Sequence, residues 1–362
     1  MDNILPFLLI IIASLFQGSF GLGMKYMNPL KWESWWVVHV FIAMVLFPII
    51  WTFIAVPESF DIIDQAFNNS NSDVVRAVNL AMFFGFAWGI GGILFGVSVP
   101  YIGLSLTMGI VMGLAGTLGA LIPLMQIENA INTPQFPYVI GGLCISLLGI
   151  AFTAKAGIDR DKITNSENKD NSIIIKGILI AVACGALSSL LAVGHTGVND
   201  DIATIASQYN VKERNASLVA WLIVFIGAFA MNILYAVFLL LKNKSFNSFL
   251  VTNSKRAYGW AILSGFCWFA ALGVYGQGAA LMGSLGNIIG WPMLLGLSLI
   301  ISNFWAYKAG EWENASGPFK TLLIGLFILV LASLVLGYSN TCLLYTSPSP
   351  RDATLSRMPS SA

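Results

Sequence analysis

The chain contains ten long apolar segments separated by short polar loops. Each segment is about as long as the roughly 20 residues that a helix needs to cross a bilayer. Because hydrocarbon offers the backbone no hydrogen-bond partner, segments of this kind fold as helices. Only 10% of the residues are charged, against about 25% in soluble domains. The sequence therefore predicts an all-α polytopic membrane protein whose ten transmembrane helices lie at residues 4–24, 35–56, 78–99, 104–125, 136–154, 173–193, 216–241, 258–282, 287–307 and 321–338.

The loop charges predict the orientation. The segment before the first apolar run, Met1 to Asn3, has no Lys or Arg, and the run is too long for a signal peptide, so we expect a retained helix. The odd-numbered loops carry 13 Lys and Arg when Lys176, at the edge of the sixth helix, is counted with loop five, and the even-numbered loops carry three. Positively charged loops remain in the cytoplasm, so both termini are predicted to lie outside. A net charge of +1 gives no indication of a nucleic-acid partner.

Residues 342–362 differ from the rest of the chain. The segment CLLYTSPSPRDATLSRMPSSA is polar, rich in Pro and Ser, and without helical periodicity. Such a composition is typical of a disordered tail, but the segment also resembles a translated sequencing adapter. We interpret it as read-through that is not native. The remaining cysteines, Cys144, Cys184 and Cys267, lie in apolar spans, where thiols behave as small apolar groups, so neither a disulfide framework nor a metal site is predicted.

The two halves of the chain share a pattern at a constant offset of 180 residues. The matched pairs are Gly85 and Gly265, Phe86 and Phe266, Trp88 and Trp268, Gly96 and Gly276, Gly103 and Gly283, and Gly116 and Gly296. We predict two five-helix repeats, residues 1–156 and 173–341, joined by a cytoplasmic linker at 157–172. Because each repeat has an odd number of helices, the second is inverted relative to the first, an arrangement found in transporters.

Four segments carry a family resemblance: AWGIGGILFGVSVPYIGLSLTMGIVMGLAGTLGALIP at 87–123, WESWW at 32–36, KGILIAVACGALSS at 176–189 and EWENA at 311–315. They resemble the L-rhamnose–proton symporter family of the drug/metabolite transporter superfamily. The resemblance implies a bacterial inner (plasma) membrane protein, and the loop charges then predict that both termini are periplasmic. It also implies import of a small sugar, L-rhamnose or a related deoxy-hexose, with the proton as a second partner. No cofactor is expected, and the oligomeric state is left open.

The chain departs from the pattern of that family at four positions. It has Gly92, Leu94 and Pro100 where the resemblance implies Asn, Asn and Arg, and Asn287 where it implies Asp. Fewer polar groups indicate another substrate or a rearranged pocket, because an unpaired buried hydroxyl costs about 1–3 kcal/mol. The alternative function is a drug/metabolite-type carrier for another polar metabolite, as an exporter or without proton coupling.

Other function classes fit the sequence less well. An enzyme is disfavoured because the chain has no HExxH motif, no carboxylate pair within a span and only two histidines. A channel is disfavoured because no ring of charged residues is visible. The chain also lacks a Walker A motif, so ATP is not expected to drive it directly.

Polar and aromatic residues within the spans are the candidate substrate contacts, because polar side chains in hydrocarbon usually face protein or a cavity. They are Gln17, Trp88, Trp268, Gln277, Asn287, Trp291 and Asn303. The proton-coupling candidates lie near helix ends: Glu311, Glu33 and His39. His39 is included because the imidazole titrates near neutral pH. His195 is expected in a solvated loop at the outer end of the sixth helix.

The charge asymmetry predicts a labelling pattern. In a chain whose spanning cysteines are replaced by alanine, a cysteine at position 70 should react with an impermeant thiol reagent in intact cells. A cysteine at position 165 should react only after lysis, because its loop lies in the cytoplasm. The reverse pattern would refute the predicted orientation.

Overall fold

The computed structural model describes residues 4–164, 171–283 and 285–346. Within these ranges the chain forms twelve α-helices: α1 Leu5–Ser19, α2 Trp32–Phe41, α3 Phe47–Ala55, α4 Ser59–Phe67, α5 Ser72–Ile102, α6 Leu104–Gln126, α7 Phe136–Thr164, α8 Asn171–Ser207, α9 Glu213–Lys242, α10 Lys255–Ala280, α11 Gly286–Lys308 and α12 Ser316–Thr346. A 3₁₀ segment, Phe20–Tyr26, follows α1, and a π-helical segment, Ile42–Leu46, joins α2 to α3. Ten helical segments are long and apolar enough to cross a membrane, which confirms the predicted number.

Helix α8 extends further than the sequence predicts. The sixth span was expected to end at Val193, but α8 continues to Ser207. The reason is a second apolar face: Val198, Ile202 and Ala206 are fully buried, and this part of the protein packs against α4. The prediction that His195 lies in a solvated loop is therefore wrong, since the residue lies within α8 and is 1% exposed.

Two predicted irregular segments are partly helical. Helix α7 continues to Thr164 and α8 begins at Asn171, so much of the predicted linker at 157–172 belongs to helices, and its residues 165–170 lie outside the described residues. Helix α12 continues to Thr346. Residues 347–362 of the tail lie outside the described residues, and the interpretation of 342–362 as non-native stays a prediction.

Close helix packing relies on glycine. Helix α5 packs against α8 and α9, α1 packs against α10 and α11, and α7 packs against α12. Where α5 crosses α9, Gly85 lies against the carbonyl group of Val224, and Gly227 lies against the carbonyl group of Met82. A Cβ atom at either glycine would overlap backbone atoms of the other helix. Small residues allow such approach in a bilayer, where no hydrophobic driving force brings helices together.

This crossing predicts that Gly227→Ala destabilises the protein. The added Cβ would overlap the Met82 carbonyl oxygen, and overpacking of this kind costs about 1–3 kcal/mol. Gly141→Ala in α7 is the matched control because its Cβ would meet no heavy atom within 4 Å. Thermal unfolding in detergent should show a lower Tm for Gly227→Ala only. Equal Tm values for the two variants would contradict the packing described here.

Candidate functional site

A cavity of about 150 Å³ lies between α6, α7 and α11. It is at the end of the helix bundle that carries the odd-numbered, Lys- and Arg-rich loops, which we call the basic face; the other end is the opposite face. Its polar lining includes Thr153 and Arg160 of α7, Ser302 and Asn303 of α11, and Glu311 from the loop after α11. Hydroxyl, amide, guanidinium and carboxylate groups together supply both donors and acceptors. The cavity therefore presents hydrogen-bond donors and acceptors of the kinds that hydroxyl groups pair with.

Four charged side chains form ion pairs beside this cavity, and two of them, Arg160 and Glu311, line it. Glu311 accepts hydrogen bonds from Lys25, which follows α1, and from Arg160 Nη1 at 3.1 Å. Arg160 also pairs with Asp161 at 3.0 Å and lies 4.8 Å from the ring centroid of Trp312. The side chains of Lys25 and Glu311 are 44% and 35% exposed, so solvent screens their attraction and the pair contributes little to stability. The ion pairs connect α1, α7 and the loop after α11.

Helices α6 and α11 are in contact nearer the opposite face. Trp291 is buried, and its Nε1 donates a hydrogen bond to the Ala115 carbonyl oxygen at 3.1 Å. A Cβ at Gly119 would lie 2.7 Å from Trp291 Nε1, and one at Gly116 would lie 3.6 Å from Leu295. Towards the basic face the same two helices are separated by the cavity. This helix pair is thus closed at one end and open at the other.

The predicted residues Trp88 and Trp268 pack together. Their ring centroids are 5.6 Å apart, and Phe225 of α9 lies 5.5 Å from Trp268. Trp268 is buried and Trp88 is half-buried. Both lie near the middle of their helices, α5 and α10, so the structure brings these two sequence-predicted residues together at mid-depth.

Tyr275 connects two further predicted residues. Its hydroxyl group lies 3.2 Å from the Asn287 carbonyl oxygen and 3.4 Å from Asn287 Oδ1, and can donate to either. Its ring packs edge-on against Trp291 at 5.5 Å. Tyr275 is absent from the residues predicted from sequence, although a phenol within a span usually requires a hydrogen-bond partner. That Asn287 lies at the substrate cavity stays a prediction.

The remaining amide candidates differ in how well they are partnered. Gln17 is half-buried, and its Oε1 has no hydrogen-bond partner among the residues that the structure describes. The adjacent Gly18 lies against the Ser298 carbonyl group of α11. Gln277 makes a long hydrogen bond, 3.4 Å, to the Gly273 carbonyl oxygen, whereas Asn303 Nδ2 donates to Leu299 at 2.8 Å. Of these amides, only Asn303 lines the cavity.

The other two proton-coupling candidates lie away from the cavity. Glu33 is 6% exposed in the first turn of α2, where it accepts hydrogen bonds from Asn243 Nδ2 at 3.1 Å and from the Ser245 hydroxyl group. These bonds tie α2 to the end of α9. His39 is 1% exposed and stacks on Trp35 and Trp36, with its Nδ1 unpartnered in the described part of the chain. Glu311 alone among the three candidates lines the cavity.

The ion pairs at the cavity predict that Glu311→Gln impairs transport without unfolding the protein. The variant loses two ion pairs, whose exposed position limits the loss of stability to about 1 kcal/mol or less. Glu313→Gln, two residues away and also exposed, is the control. Uptake rates and Tm should be measured for both variants. A Glu311→Gln variant that transports at the unmodified rate would show that these ion pairs are dispensable.

Residues 3–342 match the family described as L-rhamnose-proton symport protein (RhaT). The L-rhamnose-proton symporters of Yersinia pestis (strain Pestoides F) and Yersinia pseudotuberculosis serotype O:3 (strain YPIII) are each 22% identical to the chain over 326 residues, covering 86% of this chain and 91% of each relative. The symporter of Yersinia pestis bv. Antiqua (strain Antiqua) has the same identity and coverage. The chain therefore belongs to the L-rhamnose-proton symport family, and it is a multi-pass membrane transporter rather than an enzyme.

Proposed function

We propose that this transporter imports L-rhamnose or a related deoxy-hexose together with protons across a bacterial inner membrane. Family membership supports the class of substrate. The observation that carries the proposal is the cavity at the basic face, with its convergent hydroxyl, amide and charged groups. The charge count of the loops supports a cytoplasmic location for that face and a periplasmic location for both termini. The cavity then serves as the route by which the sugar leaves towards the cytoplasm.

The helix contacts support an inverted repeat made of α1–α7 and α8–α12. Helix α1 packs against α10 and α11, and α8 packs against the corresponding helices α5 and α6. Gly85 lies against the backbone of α9, and its partner at the offset of 180, Gly265, lies against the backbone of α2 at the His39 carbonyl oxygen. Gly103 and Gly283, another matched pair, both have φ of +80°. The same contacts thus recur in both halves.

A difference between the halves supports alternating access. A Cβ at Gly276, near the opposite face, would lie 2.7 Å from Ser217 Oγ and 3.0 Å from Trp221 Nε1. A Cβ at its partner Gly96, near the basic face, would meet no heavy atom within 4 Å. We interpret this as a state open to the basic face. Closing the contacts around Gly96 while opening those around Gly276 would give the state open to the other side.

A second candidate substrate class is a polar metabolite other than L-rhamnose. It is favoured by α5, where Gly92 is exposed without a side chain and Leu94 is apolar, at positions where the family resemblance implies amides. Fewer amide donors leave fewer sugar hydroxyls satisfied. Under this alternative the cavity and the repeat are kept, and the solute makes fewer hydrogen bonds to α5.

Uptake by proteoliposomes tests the proposal. Radiolabelled L-rhamnose should accumulate when the exterior is made acidic relative to the interior, and a panel of deoxy-hexoses and other sugars should compete according to their affinity. Competition by an unrelated polar metabolite, with no accumulation of any sugar, would favour the second candidate. An uptake rate that is the same with and without the pH gradient would refute proton coupling.

Asn287 provides a more specific prediction. Asn287→Ala should weaken sugar binding by about 1–3 kcal/mol, because a hydroxyl group would lose its buried partner. Asn287→Asp should strengthen the dependence of uptake on pH, since a carboxylate can take up a proton and an amide cannot. Asn79→Ala, at an exposed position of α5, is the control. If both Asn287 variants match the unmodified protein in gradient-driven uptake, Asn287 serves packing only.

A further inference from the structure

His195 occupies an unusual position within α8. It is 1% exposed, and its ring stacks on Trp221 with centroids 4.0 Å apart and planes 18° apart. Its Nε2 lies 3.4 Å from the Ser217 carbonyl oxygen, which can only accept, so Nε2 carries the hydrogen and donates. The lone pair of the neutral ring is then on Nδ1, which has no partner among the described residues. The imidazole is held in one tautomer with a free basic nitrogen.

We propose that His195 binds and releases the coupling proton at Nδ1, and that Trp221 stabilises its charged form. The inference rests on the proposed sugar–proton symport and names the residue that carries the proton. The imidazolium would lie on the face of an indole, where cations are attracted by the ring quadrupole. On one side the proton leaves hydronium, so that an O–H bond breaks as the Nδ1–H bond forms. On the other side the Nδ1–H bond breaks as a water molecule takes up the proton.

Charged and titratable groups lie on several of the helices packed around His195. Helix α9 contributes Arg214 and the exposed Glu213, about one turn before Ser217, and α10 contributes Tyr275, whose ring lies 6.4 Å from the imidazole. Helix α6 carries no titratable side chain. The acidic groups are Asp200 and Asp201 further along α8, Asp73 of α5 and the exposed Asp61 and Asp64 of α4; Arg76 of α5 is a further cation. Within the described residues no carboxylate hydrogen-bonds to the imidazole.

Buried polar atoms lead from His195 towards the opposite face. Asn199 Oδ1 on α8 and Arg214 Nε on α9 are both buried and unpartnered in the described ranges. Each lies about one helical turn nearer that face than the contact between His195 and Ser217. A second cavity, of about 270 Å³, adjoins Gly194 and Gly197 on α8 and is also lined by Asp73 and Arg76. Buried polar atoms thus lie between His195 and the side predicted to be periplasmic, and the second cavity lies beside them on α8 without being lined by His195, Asn199 or Arg214.

Trp221 connects this histidine to the candidate substrate residues. Its Nε1 packs closely against Gly276 of α10, because a Cβ atom at Gly276 would lie only 3.0 Å from it. Its ring stacks on Phe225 at 5.5 Å, and Phe225 contacts Trp268 at 5.5 Å. Tyr275, which holds Asn287, lies 6.4 Å from Trp221. A charge on His195 would thus act on the packing of α10, the helix that carries Trp268 and Gln277.

The test compares His195→Gln with the unmodified transporter in proteoliposomes. The glutamine amide can still donate to Ser217 but cannot carry the proton. We expect gradient-driven L-rhamnose accumulation and sugar-induced proton influx, followed with a pH-sensitive dye, to fall at least tenfold. Exchange of internal for external L-rhamnose without a gradient should remain. Ser189→Ala, at an equally buried position of α8, should behave as the unmodified protein.

Two results would overturn the assignment. One is proton-driven accumulation retained by His195→Gln, and the other is loss of exchange along with accumulation in a variant whose Tm is unchanged. If His195→Gln does not fold, Trp221→Phe provides the test. Phenylalanine attracts the imidazolium less strongly than tryptophan, so the pH at which uptake is half-maximal should become more acidic. An unchanged half-maximal pH would overturn the inference. An unmodified protein that neither accumulates nor exchanges L-rhamnose would instead refute the proposed function.

Discussion

The structure depends on backbone-to-backbone contact between helices at glycine. In a bilayer the lipid chains are as apolar as leucine, so helices associate through close packing and hydrogen bonds rather than through release of water. The crossings of α5 with α9 at Gly85 and Gly227, and of α10 with α2 at Gly265, allow carbonyl groups to approach the neighbouring helix within van der Waals distance. These crossings fix where α5 and α10 lie. They thereby bring Trp88 and Trp268 together at mid-depth.

Much of the fold could be predicted from the sequence because the bilayer imposes a simple rule on length and hydropathy. The ten spans follow from that rule. Helix ends did not follow, since the last turns of α8 carry charged residues such as Asp200 and are kept helical by the burial of Ile202 against neighbouring helices. Only the packed structure contains that information.

The candidate site was predictable in part. The repeat indicates Trp88 and Trp268, the polarity of a span indicates Asn303, and the EWENA segment near a helix end indicates Glu311. Asn303 and Glu311 do line the cavity. Tyr275 was not predictable as a link, because its role depends on the hydroxyl group reaching Asn287 on another helix. His195 was misplaced because hydropathy does not indicate that an aromatic ring will cover an imidazole. Pairwise geometry of this kind leaves no signal in local composition.

The paired positions Gly96 and Gly276, one in open space and the other closely packed, have an energetic consequence. In the proposed inverted repeat, corresponding pairs of helices close the two sides in turn. Two end states of the empty carrier that lie within a few kcal/mol of each other would both be populated at equilibrium. In the proposed symport, the direction of net flux is set by the sum of the solute and proton gradients and not by the energies of the end states. The same molecule therefore runs backwards when that sum changes sign.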